Sequence, residues 1–559
     1  MRAYENAART LSGLAEEPQE LLESGTLAEL PGVGPGLLRA VAEVAHTGRF
    51  SLHDELRAKY PPGLLDLFQV SGLGPKRIRV LYRELGVDSP SALAAACRDG
   101  RIAELSGFGA KSQAKILEAV SRLGTYRERH LLPEALALAE PLVAHLRSHP
   151  AVVRAETAGS LRRWRETIGD LDFVAAVALA DRAAAADHFV ATPGTQGVES
   201  RGETKVQIRL AAGMLADLRM VEDAEFATAL HHFTGSKEHN VQLRTRAKHR
   251  GLTVNEYGLF HGSTRISVTS EAALFERLGL HWIPPEMREG LDEIERAEQG
   301  PLPKLLEVVD LTGTLHVHTT WSDGTASLPQ MAAAAKDRGW SYLGIADHSQ
   351  SASYAGGLHP ERVHEQWEEI EAWNAAGQGP RLFKGSEVDI LADGTLDFDD
   401  DLLQGFDFVV ASVHSRFKLS HDLQTERIVK AISHPCVTFL GHPTGRLLLA
   451  REGYDVDLDA VLDAAEANGV IVEVNASPHR LDLDWRMLRG WLARGCLTSI
   501  HPDAHSPQGL SDVLYGVGAA RKAGATAAHV LNARSLAELE RHFSARRKRA
   551  TRLLRRSRE

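Results

Sequence analysis

The chain carries Gly159-Ser160-Leu161-Arg162-Arg163 and, shortly after, Gly169-Asp170-Leu171-Asp172. Asp170 and Asp172 alternate on a predicted strand, so both side chains point to the same face of a sheet. Asp217 lies on a second predicted strand and could join them. Three carboxylates that converge without a basic partner repel one another, and divalent cations relieve that repulsion. The pattern predicts a site at which two such ions act on a nucleotide phosphate.

The residues around these carboxylates predict an α+β domain. A helix is expected over 132–146. Strands are expected over 171–177, 205–210 and 215–221. Beyond them, residues 222–295 are rich in helical patterns, with one strand-like stretch at 252–254.

A second cluster of potential metal ligands lies in the C-terminal half. Short apolar runs alternate there with helical stretches, and potential ligands follow these runs. The nine candidates are His316, His318, Asp323, His348, Glu387, His414, His442, Asp503 and His505. Strands that alternate with helices predict parallel βα units, and ligands at the C-terminal ends of such strands predict a barrel-type site. Mixed imidazole and carboxylate ligands suit transition metals.

A weak repeat precedes both clusters. Three segments share an apolar-x-Gly-apolar-Gly pattern, and each follows one helical stretch and opens another. The residues expected to contact DNA there are Gly32, Gly34, Gly72, Gly74, Lys76, Gly107, Gly109 and Lys111. Glycine permits a tight turn, and the backbone amides before a helix attract a phosphate. Three copies, two with lysine after the second glycine, favour binding to the DNA backbone over plain helical packing.

Length and composition bound the remaining possibilities. At 559 residues the chain should hold several domains. Its three cysteines are far apart, which argues against a disulfide framework. We expect a cytoplasmic protein, associated with the nucleoid through DNA, because neither a signal peptide nor a membrane span is apparent. The net charge of −10 is compatible with DNA binding, since a local basic face can coexist with acidic metal sites.

The first motif resembles family X DNA polymerases, the group that contains DNA polymerase beta. The segment Phe233-Thr234-Gly235-Ser236 is similar to a second family motif. The resemblance covers about residues 1–295 and implies that Asp170, Asp172 and Asp217 are catalytic ligands of Mg²⁺ or Mn²⁺.

The same resemblance implies roles for residues around the carboxylates. The expected nucleotide-binding residues are Gly159, Ser160, Arg163, Gly169, His232, Phe233, Gly235 and Asn240. Ser160 and Arg163 would contact the triphosphate, and Asn240 would contact the nascent base pair. Arg244, one helical turn further on, would contact the template.

Three positions depart from the family pattern. Trp164 stands where the family has glycine, beside the triphosphate pocket. His232 replaces an aromatic residue that limits access by the ribose 2′-hydroxyl. Ala40 falls where the family's lyase has its Schiff-base lysine, so we expect no efficient lyase activity.

The second cluster resembles the polymerase and histidinol phosphatase (PHP) family of phosphoesterases over about residues 310–545. The resemblance implies up to three Mn²⁺, Zn²⁺ or Fe²⁺ ions. One would be held by His316, His318, Glu387 and Asp503. Glu387 would bridge to a second ion held by His414 and His442. Asp323, His348 and His505 would hold the third.

Together these features predict a multidomain fold. Its expected parts are a helical helix-hairpin-helix domain (1–58, lyase-like), a helix-hairpin-helix DNA-binding subdomain (59–131), an α+β nucleotidyltransferase palm (132–231), a nucleotide-selection subdomain (232–295), a linker (296–309), an irregular α/β (β/α) barrel of PHP type (310–545) and a basic tail (546–559). The tail is either a solvated helix or a contact for the DNA backbone.

The combination of both families resembles bacterial and archaeal family X polymerases. It implies gap-filling DNA synthesis in repair, with 3′-5′ exonuclease activity in the PHP domain. The expected partners are gapped or primer-template DNA and deoxynucleoside triphosphates, with the protein acting as a monomer. One alternative is a nuclease or phosphatase that processes 3′ ends, in which Trp164 blocks nucleotide entry to a vestigial polymerase half. Another is a DNA-end-binding scaffold in which both sites are silent.

Overall fold

The computed structural model of this chain describes residues 22, 25, 27, 34–47, 49–61, 63–70, 73–127 and 129–558. Two of the predicted DNA-binding glycines, Gly32 and Gly72, lie outside the described residues. The chain divides into two compact units, Met1–Glu128 and Arg129–Glu559.

The first unit is helical in its described part. Its helices are α1 (Pro35–Thr47), α2 (Ser51–Lys59), α3 (Gly63–Asp66), α4 (Pro75–Leu85), α5 (Pro90–Arg98) and α6 (Ala110–Arg127). Leu81 and Leu93 are fully buried between them. Gly34, Gly74 and Gly109 directly precede α1, α4 and α6. This confirms the helical architecture predicted for the N-terminal part of the chain.

The second unit begins with an α/β layer. Its elements are β1 (His130–Leu131), α7 (Leu132–Ser148), β2 (Val152–Thr157), α8 (Gly159–Arg162), β3 (Thr167–Ile168), β4 (Asp170–Val177), α9 (Arg182–Val190), β5 (Thr195–Arg201), β6 (Lys205–Leu210) and β7 (Leu215–Val221). Five strands form a sheet in the order β2-β4-β7-β6-β5. Only the β4–β7 pair is parallel, and the other three pairs are antiparallel.

Helix α7 covers this sheet because its apolar residues recur every three or four positions. The buried positions include Leu132, Ala135, Ala139, Leu142 and Leu146. This spacing places them on one face of the helix. They pack into one core with Phe173 and Leu218 of the central strands. The central strands are thereby held rigidly at the position where the carboxylates lie.

A smaller helical layer follows the sheet. Its elements are α10 (Phe226–Thr234), α11 (Lys237–His249), β8 (Thr253–Asn255), β9 (Gly258–His261), β10 (Thr264–Ile266), α12 (Glu271–Arg277) and α13 (Glu293–Gln299). The three strands form an antiparallel sheet in the order β10-β9-β8. The sequence predicted only the first of them, although all three strands have only three or four residues, too few to show a period of two.

The segment after α13 is anchored by two buried leucines. Leu305 and Leu306 are buried, and the Leu306 amide donates to the Ala525 carbonyl at 2.9 Å. The residues expected to form a linker therefore contribute to the contact between the two parts of the second unit.

The C-terminal part is a parallel barrel. Its elements are β11 (Gly313–Val317), α14 (Leu328–Asp337), β12 (Tyr342–Ile345), α15 (Pro360–Ala376), β13 (Arg381–Asp389), α16 (Asp400–Gly405), β14 (Phe408–Ser412), α17 (His421–Ile432), β15 (Phe439–Leu440), α18 (Leu458–Asn468), β16 (Ile471–Asn475), α19 (Trp485–Ala493), β17 (Thr498–His501), α20 (Val513–Lys522) and α21 (Leu536–Arg558). The seven strands pair in sequence order and are all parallel. This confirms the predicted (β/α) barrel architecture.

The seam between β11 and β17 is closed by a buried side chain. Asn532 donates to the carbonyls of Gly313 (3.0 Å) and Ile500 (2.8 Å) and accepts from the Ile500 amide at 2.9 Å. A single bridge between Val317 and Ala504 continues the pairing. Thr314 Oγ1 also donates to the Ile500 carbonyl at 3.2 Å, and the His318 amide donates to the Ala504 carbonyl at 2.9 Å, so side-chain and backbone groups together close the seam.

Helix α21 closes the end of the barrel opposite the ligands. Phe543 is 1% exposed, and its ring contacts Phe383 and Phe408, near the start of their strands. No helix of the described residues is long and apolar enough to cross a membrane.

The barrel seam leads to a stability prediction. Asn532→Ala would leave several buried backbone groups without partners, so the free energy of unfolding should fall by about 3 kcal/mol. Urea unfolding followed by circular dichroism measures this change. Asn468→Ala is the control, because Asn468 is only half-buried and donates within its own helix. Equal stability of the two variants would show that Asn532 does not hold the seam.

Candidate active sites

The three carboxylates of the first site meet on the parallel strands β4 and β7. Asp172 lies opposite Asp217 in the register of these strands. Asp170 precedes Asp172 by two residues and therefore shares its face. One oxygen from each carboxylate lies within 4.8 Å of the others. The structure thus brings the three predicted residues together.

Asp217 has basic and polar neighbours that the sequence analysis missed. Lys205 Nζ lies 2.8 Å from Asp217 Oδ1, and Gln207 donates to Asp217 Oδ2 at 2.9 Å. The expectation that the carboxylates lack a basic partner was therefore wrong for Asp217. The pairing of β6 with β7 supplies both contacts, and only the sheet order reveals it.

The electrostatics of the site favour a divalent cation. Burial, with Asp217 close by, raises the pKa of Asp170. Burial, together with Asp170 and Asp217, raises the pKa of Asp172 to about 7. Burial and the neighbouring carboxylates thus both disfavour the charged forms of these groups. A bound divalent ion would supply the missing positive charge, so this ligand set fits one.

Gly159 is required by the close approach of its backbone to Asp172. It has φ +58°, in the left-handed region, and a Cβ atom there would lie 1.9 Å from Asp172 Oδ2. No side chain fits in that space. The glycine of the motif therefore allows the turn to contact the carboxylate directly.

A cavity of about 500 Å³ opens beside the carboxylates. Its lining comprises Gly159, Ser160, Arg163, Asp170, Asp172, His232, Phe233, Gly235, Lys237, Asn240 and Arg244. Every predicted nucleotide-binding residue except Gly169 is among them, as is Arg244, which we had placed on the template. Lys237, an exposed cation at the start of α11, was not predicted.

Arg163 lines this cavity, and its guanidinium is also bound by groups outside the cavity lining. Its Nε lies 3.2 Å from Glu289 Oε1, and it also donates to the Thr234 carbonyl. Glu289 was not predicted, because it lies more than a hundred residues away in the sequence. These contacts fix the direction in which the guanidinium can reach the cavity.

The other wall of the cavity is formed by the end of α10. Asn240 of α11 donates to the His232 carbonyl of α10 at 2.7 Å, and this hydrogen bond joins the two helices. The His232 ring packs edge-on against Phe233, and Arg219 lies over the Phe233 ring at 5.0 Å. Burial lowers the pKa of His232, so its imidazole is neutral at pH 7.

Trp164 does not line the cavity. Its backbone has φ +54°, the conformation that glycine adopts most readily. Its ring instead packs against Gly518 of α20, where a Cβ atom would lie 2.4 Å from the indole. The hypothesis that this tryptophan blocks nucleotide entry is therefore not supported by its position.

The second candidate site lies at the C-terminal ends of the barrel strands. Three groups of potential ligand atoms, each within 4.8 Å, are His316, His318, Glu387 and Asp503; then His318, Asp323, His348 and His505; then His348, Glu387 and His414. The first group equals the set expected for one ion. The second adds His318 to the set expected for another. All nine predicted residues lie in this one region of the barrel.

Glu387 lies at the centre of the second site. Its Oε1 is 2.8 Å from His442 Nε2 and 3.1 Å from His414 Nε2, and its Oε2 is 3.0 Å from His348 Nδ1. Although burial opposes its ionisation, His414, His316 and His348 hold the pKa of Glu387 well below its usual range. One carboxylate thus faces several imidazoles, as a bridging ligand would.

The buried imidazoles are oriented by carboxylates that the sequence analysis missed. His316 donates Nδ1–H to Glu473 at 2.6 Å, and His414 donates Nδ1–H to Asp389 at 2.7 Å. His316 Nε2 has no hydrogen-bond partner within the described part of the chain and points at Glu387. This is the arrangement of a metal-binding histidine, so the residues present fit a metal ion.

Glu473 also accepts from His501 Nδ1 at 2.9 Å. Glu473 lies inside its strand, whereas His501 is the last residue of its strand, and neither was predicted. Their signal in the sequence is a charged or polar residue within an otherwise apolar strand, since such residues are buried only with a partner.

The glycine loops of the first unit present exposed groups before helices. Gly34, Gly74, Lys76, Gly107 and Lys111 are exposed, and Gly109 is partly exposed. Arg77, which was not predicted, donates to the Gly107 carbonyl at 3.4 Å and lies over the Phe108 ring. This side chain holds two of the loops side by side.

The predicted basic tail is the end of helix α21. Arg546 is anchored, because it donates to the carbonyls of Gly469 and Val437. Beyond it, an open groove of about 540 Å³ is lined by Arg547, Lys548, Thr551, Arg552, Arg555 and Arg556. The tail is therefore an ordered helical surface with a row of cations.

Three protein families match parts of the chain. They are the SAM-like helix-hairpin-helix tandem at residues 64–122, the DNA polymerase beta thumb at 229–289 and the PHP domain at 314–477. A probable phosphatase of Thermoanaerobacter sp. (strain X514) is 30% identical over 29% of this chain and 63% of its own length. A ternary P/T complex of Leishmania infantum polymerase beta is 22% identical and covers 41% of this chain and 98% of its own, with a TM-score of 0.28.

One relative spans almost the whole molecule. The DNA polymerase/3′-5′ exonuclease PolX of Bacillus subtilis (strain 168) is 39% identical over 96% of this chain and 94% of its own length. Both candidate sites and the glycine loops of the first unit fall inside this match. The chain therefore belongs to the family X DNA polymerases that carry a C-terminal PHP domain.

Proposed function

We propose that this protein is a DNA-directed DNA polymerase that fills short gaps during repair and removes nucleotides from 3′ ends in its PHP barrel. The observation that carries the polymerase assignment is the convergence of Asp170, Asp172 and Asp217 at the edge of a cavity of about 500 Å³. The relative from Bacillus subtilis combines the two named activities in one chain of the same organisation.

In the polymerase site the three carboxylates would hold two Mg²⁺ or Mn²⁺ ions. When bound, these ions polarise the nucleotide phosphate and lower the pKa of the attacking 3′-hydroxyl. Ser160, Arg163 and Lys237 offer a hydroxyl and two cations to the triphosphate of a deoxynucleotide. Asn240 and His232 lie on the opposite wall, where the base and sugar would pack.

In the barrel the imidazoles and carboxylates would hold up to three Mn²⁺, Zn²⁺ or Fe²⁺ ions. When bound, such ions supply a hydroxide nucleophile and stabilise the leaving oxygen of a phosphodiester. Glu473 and Asp389 keep His316 and His414 in the tautomer that presents Nε2 to the site. The enclosed position of Glu387 keeps bulk water away from the bridging carboxylate.

Two surfaces support gapped or primer-template DNA as the partner. The glycine loops of the first unit expose Lys76 and Lys111 next to helix starts, where backbone amides attract phosphate. The groove along α21 offers a row of cations spaced along one helix. We infer that the protein works as a monomer on DNA of the cytoplasmic nucleoid.

Two features argue against a silent or vestigial polymerase half. The carboxylate set is complete, and Trp164 is turned away from the cavity. Both are conditions for nucleotide entry and metal binding. The rival assignment as a 3′-end nuclease alone leaves them without a role.

The contact between Gly159 and Asp172 gives the first test of the polymerase site. Gly159→Ala should displace the carboxylate by about 1 Å and lower primer extension by about 100-fold. Gly213→Ala is the matched control, since Gly213 also has a positive φ but open space around its Cβ position. Comparable losses in both variants would attribute the effect to backbone strain and not to the carboxylate.

Independence of the two sites gives a reciprocal test. Asp170→Ala with Asp172→Ala should lower primer extension by about 10³-fold or more and leave 3′-end degradation intact. Glu387→Ala, or His316→Ala with His318→Ala, should do the opposite. Degradation should respond to Mn²⁺ more than to Mg²⁺, because its ligands include imidazoles. Loss of both activities in any one of these variants, while circular dichroism shows a folded chain, would contradict two separate sites.

The position of His232 gives a prediction about sugar discrimination. An imidazole is smaller than a phenol ring, so His232→Tyr should raise the preference for dCTP over rCTP several-fold. Single-nucleotide incorporation of each substrate measures the ratio. An unchanged ratio would assign discrimination to the backbone of α10 instead.

A further inference from the structure

The polymerase motif is in direct contact with the barrel. Residues Arg163 and Trp164, which follow the turn at Gly159, lie against helix α20 of the PHP part. Lys522 at the end of α20 is only 1% exposed. Its Nζ donates to the Arg163 carbonyl at 3.0 Å and to the Glu286 carbonyl at 3.2 Å. One lysine of the barrel therefore fixes the backbone of a residue that lines the nucleotide cavity.

The same lysine also reaches the side chain of Arg163 through a carboxylate. Lys522 forms an ion pair with Glu289, whose Oε1 accepts from Arg163 Nε at 3.2 Å. Glu289 Oε2 accepts from Arg165 at 3.2 Å. Glu289 is thus shared by three cations, one of which belongs to the barrel.

Burial and neighbouring charges together set the pKa values of Lys522 and Glu289. Burial lowers the pKa of Lys522 to about 8, and Glu289 opposes that shift. Although burial opposes the ionisation of Glu289, Lys522, Arg163 and Arg165 hold its pKa below the usual value. Both groups are therefore charged at neutral pH.

A second contact places the same loop against the same helix. The Trp164 indole covers Gly518, one turn before Lys522, and leaves no room for a Cβ atom there. The backbone of Trp164 keeps the positive φ that suits a glycine. Tryptophan at this position thus retains the shape of the motif and adds an anchor on the barrel.

We propose that Lys522 is a positioning residue of the polymerase site, through which the PHP barrel sets the affinity for the incoming nucleotide. This inference rests on the proposed polymerase activity. Lys522 holds the Arg163 backbone and shares Glu289 with its guanidinium. Without Lys522, Glu289 would be left to the two arginines, and the Arg163 carbonyl would lose its buried donor. Arg163 would then be drawn toward Glu289 and away from the triphosphate.

The primary test is Lys522→Met in the full chain. Single-turnover incorporation at increasing dCTP concentration gives the apparent Kd of the nucleotide and the maximal rate. We expect the apparent Kd to rise about tenfold, as loss of a charged hydrogen bond would produce, with the maximal rate changed less than about twofold. An unchanged Kd in the variant, with wild-type protein active, would overturn the proposal. An inactive wild type would instead refute the proposed polymerase function.

Arg521→Met is the matched control. Arg521 neighbours Lys522 and contacts Glu286 and the Leu306 carbonyl, but neither of these hydrogen bonds is to Arg163 or to Glu289. The Arg521→Met variant should loosen the contact between the polymerase part and the barrel without changing the nucleotide Kd by more than about twofold. An equal rise in both variants would show that general loosening, and not Lys522, is responsible, and would overturn the proposal.

The route through Glu289 is tested by a double-mutant cycle. Glu289→Gln should also raise the apparent Kd, and combining it with Lys522→Met should add less than about twofold to the larger single effect. Multiplicative effects would show that Lys522 acts independently of Glu289, against the proposal. If Lys522→Met does not fold, Gly518→Ala is a second variant in the barrel that tests the same contact. It should raise the Kd by displacing Trp164, while 3′-end degradation remains.

Discussion

A carboxylate removed from water must be matched by positive charge or hydrogen-bond donors, and the second unit of this protein is organised around that requirement. Glu271 is clamped by Arg162 and Arg288, of which Arg288 is fully buried. Glu473 is shared by two histidines, and Glu387 is surrounded by several. In these three places the partners of a carboxylate come from segments that are distant in the sequence. The buried carboxylates therefore join separate strands and helices.

The two candidate sites satisfy this requirement differently. Asp170, Asp172 and Asp217 lie at the edge of an open cavity, with Lys205 as the basic partner of one of them. The remaining negative charge is suited to hard divalent ions. In the barrel site Glu387 is buried while Asp323 and His505 are more than a third exposed, and the carboxylates are balanced by imidazoles that are themselves hydrogen-bonded. Such a mixed ligand set suits transition metals.

Residues that occur at a regular spacing within strands, or directly after apolar runs, could be predicted from the sequence. Asp170 and Asp172 alternate on a strand, and the nine barrel ligands follow apolar runs, so the period of the elements locates them. Lys205, Glu289 and Glu473 could not be found in this way, because their roles depend on which elements are neighbours in space. The strands β9 and β10 were missed, and they are about as short as β8, which was predicted. Trp164 was noticed as a departure, but its direction depends on a helix that lies far along the chain.

The contact of Trp164 and Lys522 with the opposite half has a consequence for the modularity of the chain. The boundaries of the matched families place the division between the polymerase part and the barrel in the segment that precedes β11. A polymerase half separated there would expose the indole ring of Trp164, and Glu289 would lose Lys522 as one of its three cationic partners. Chimeras that exchange barrels between relatives would therefore need to carry the α20 residues facing this loop. The two halves match separate families, yet Trp164 and Lys522 join them through buried contacts.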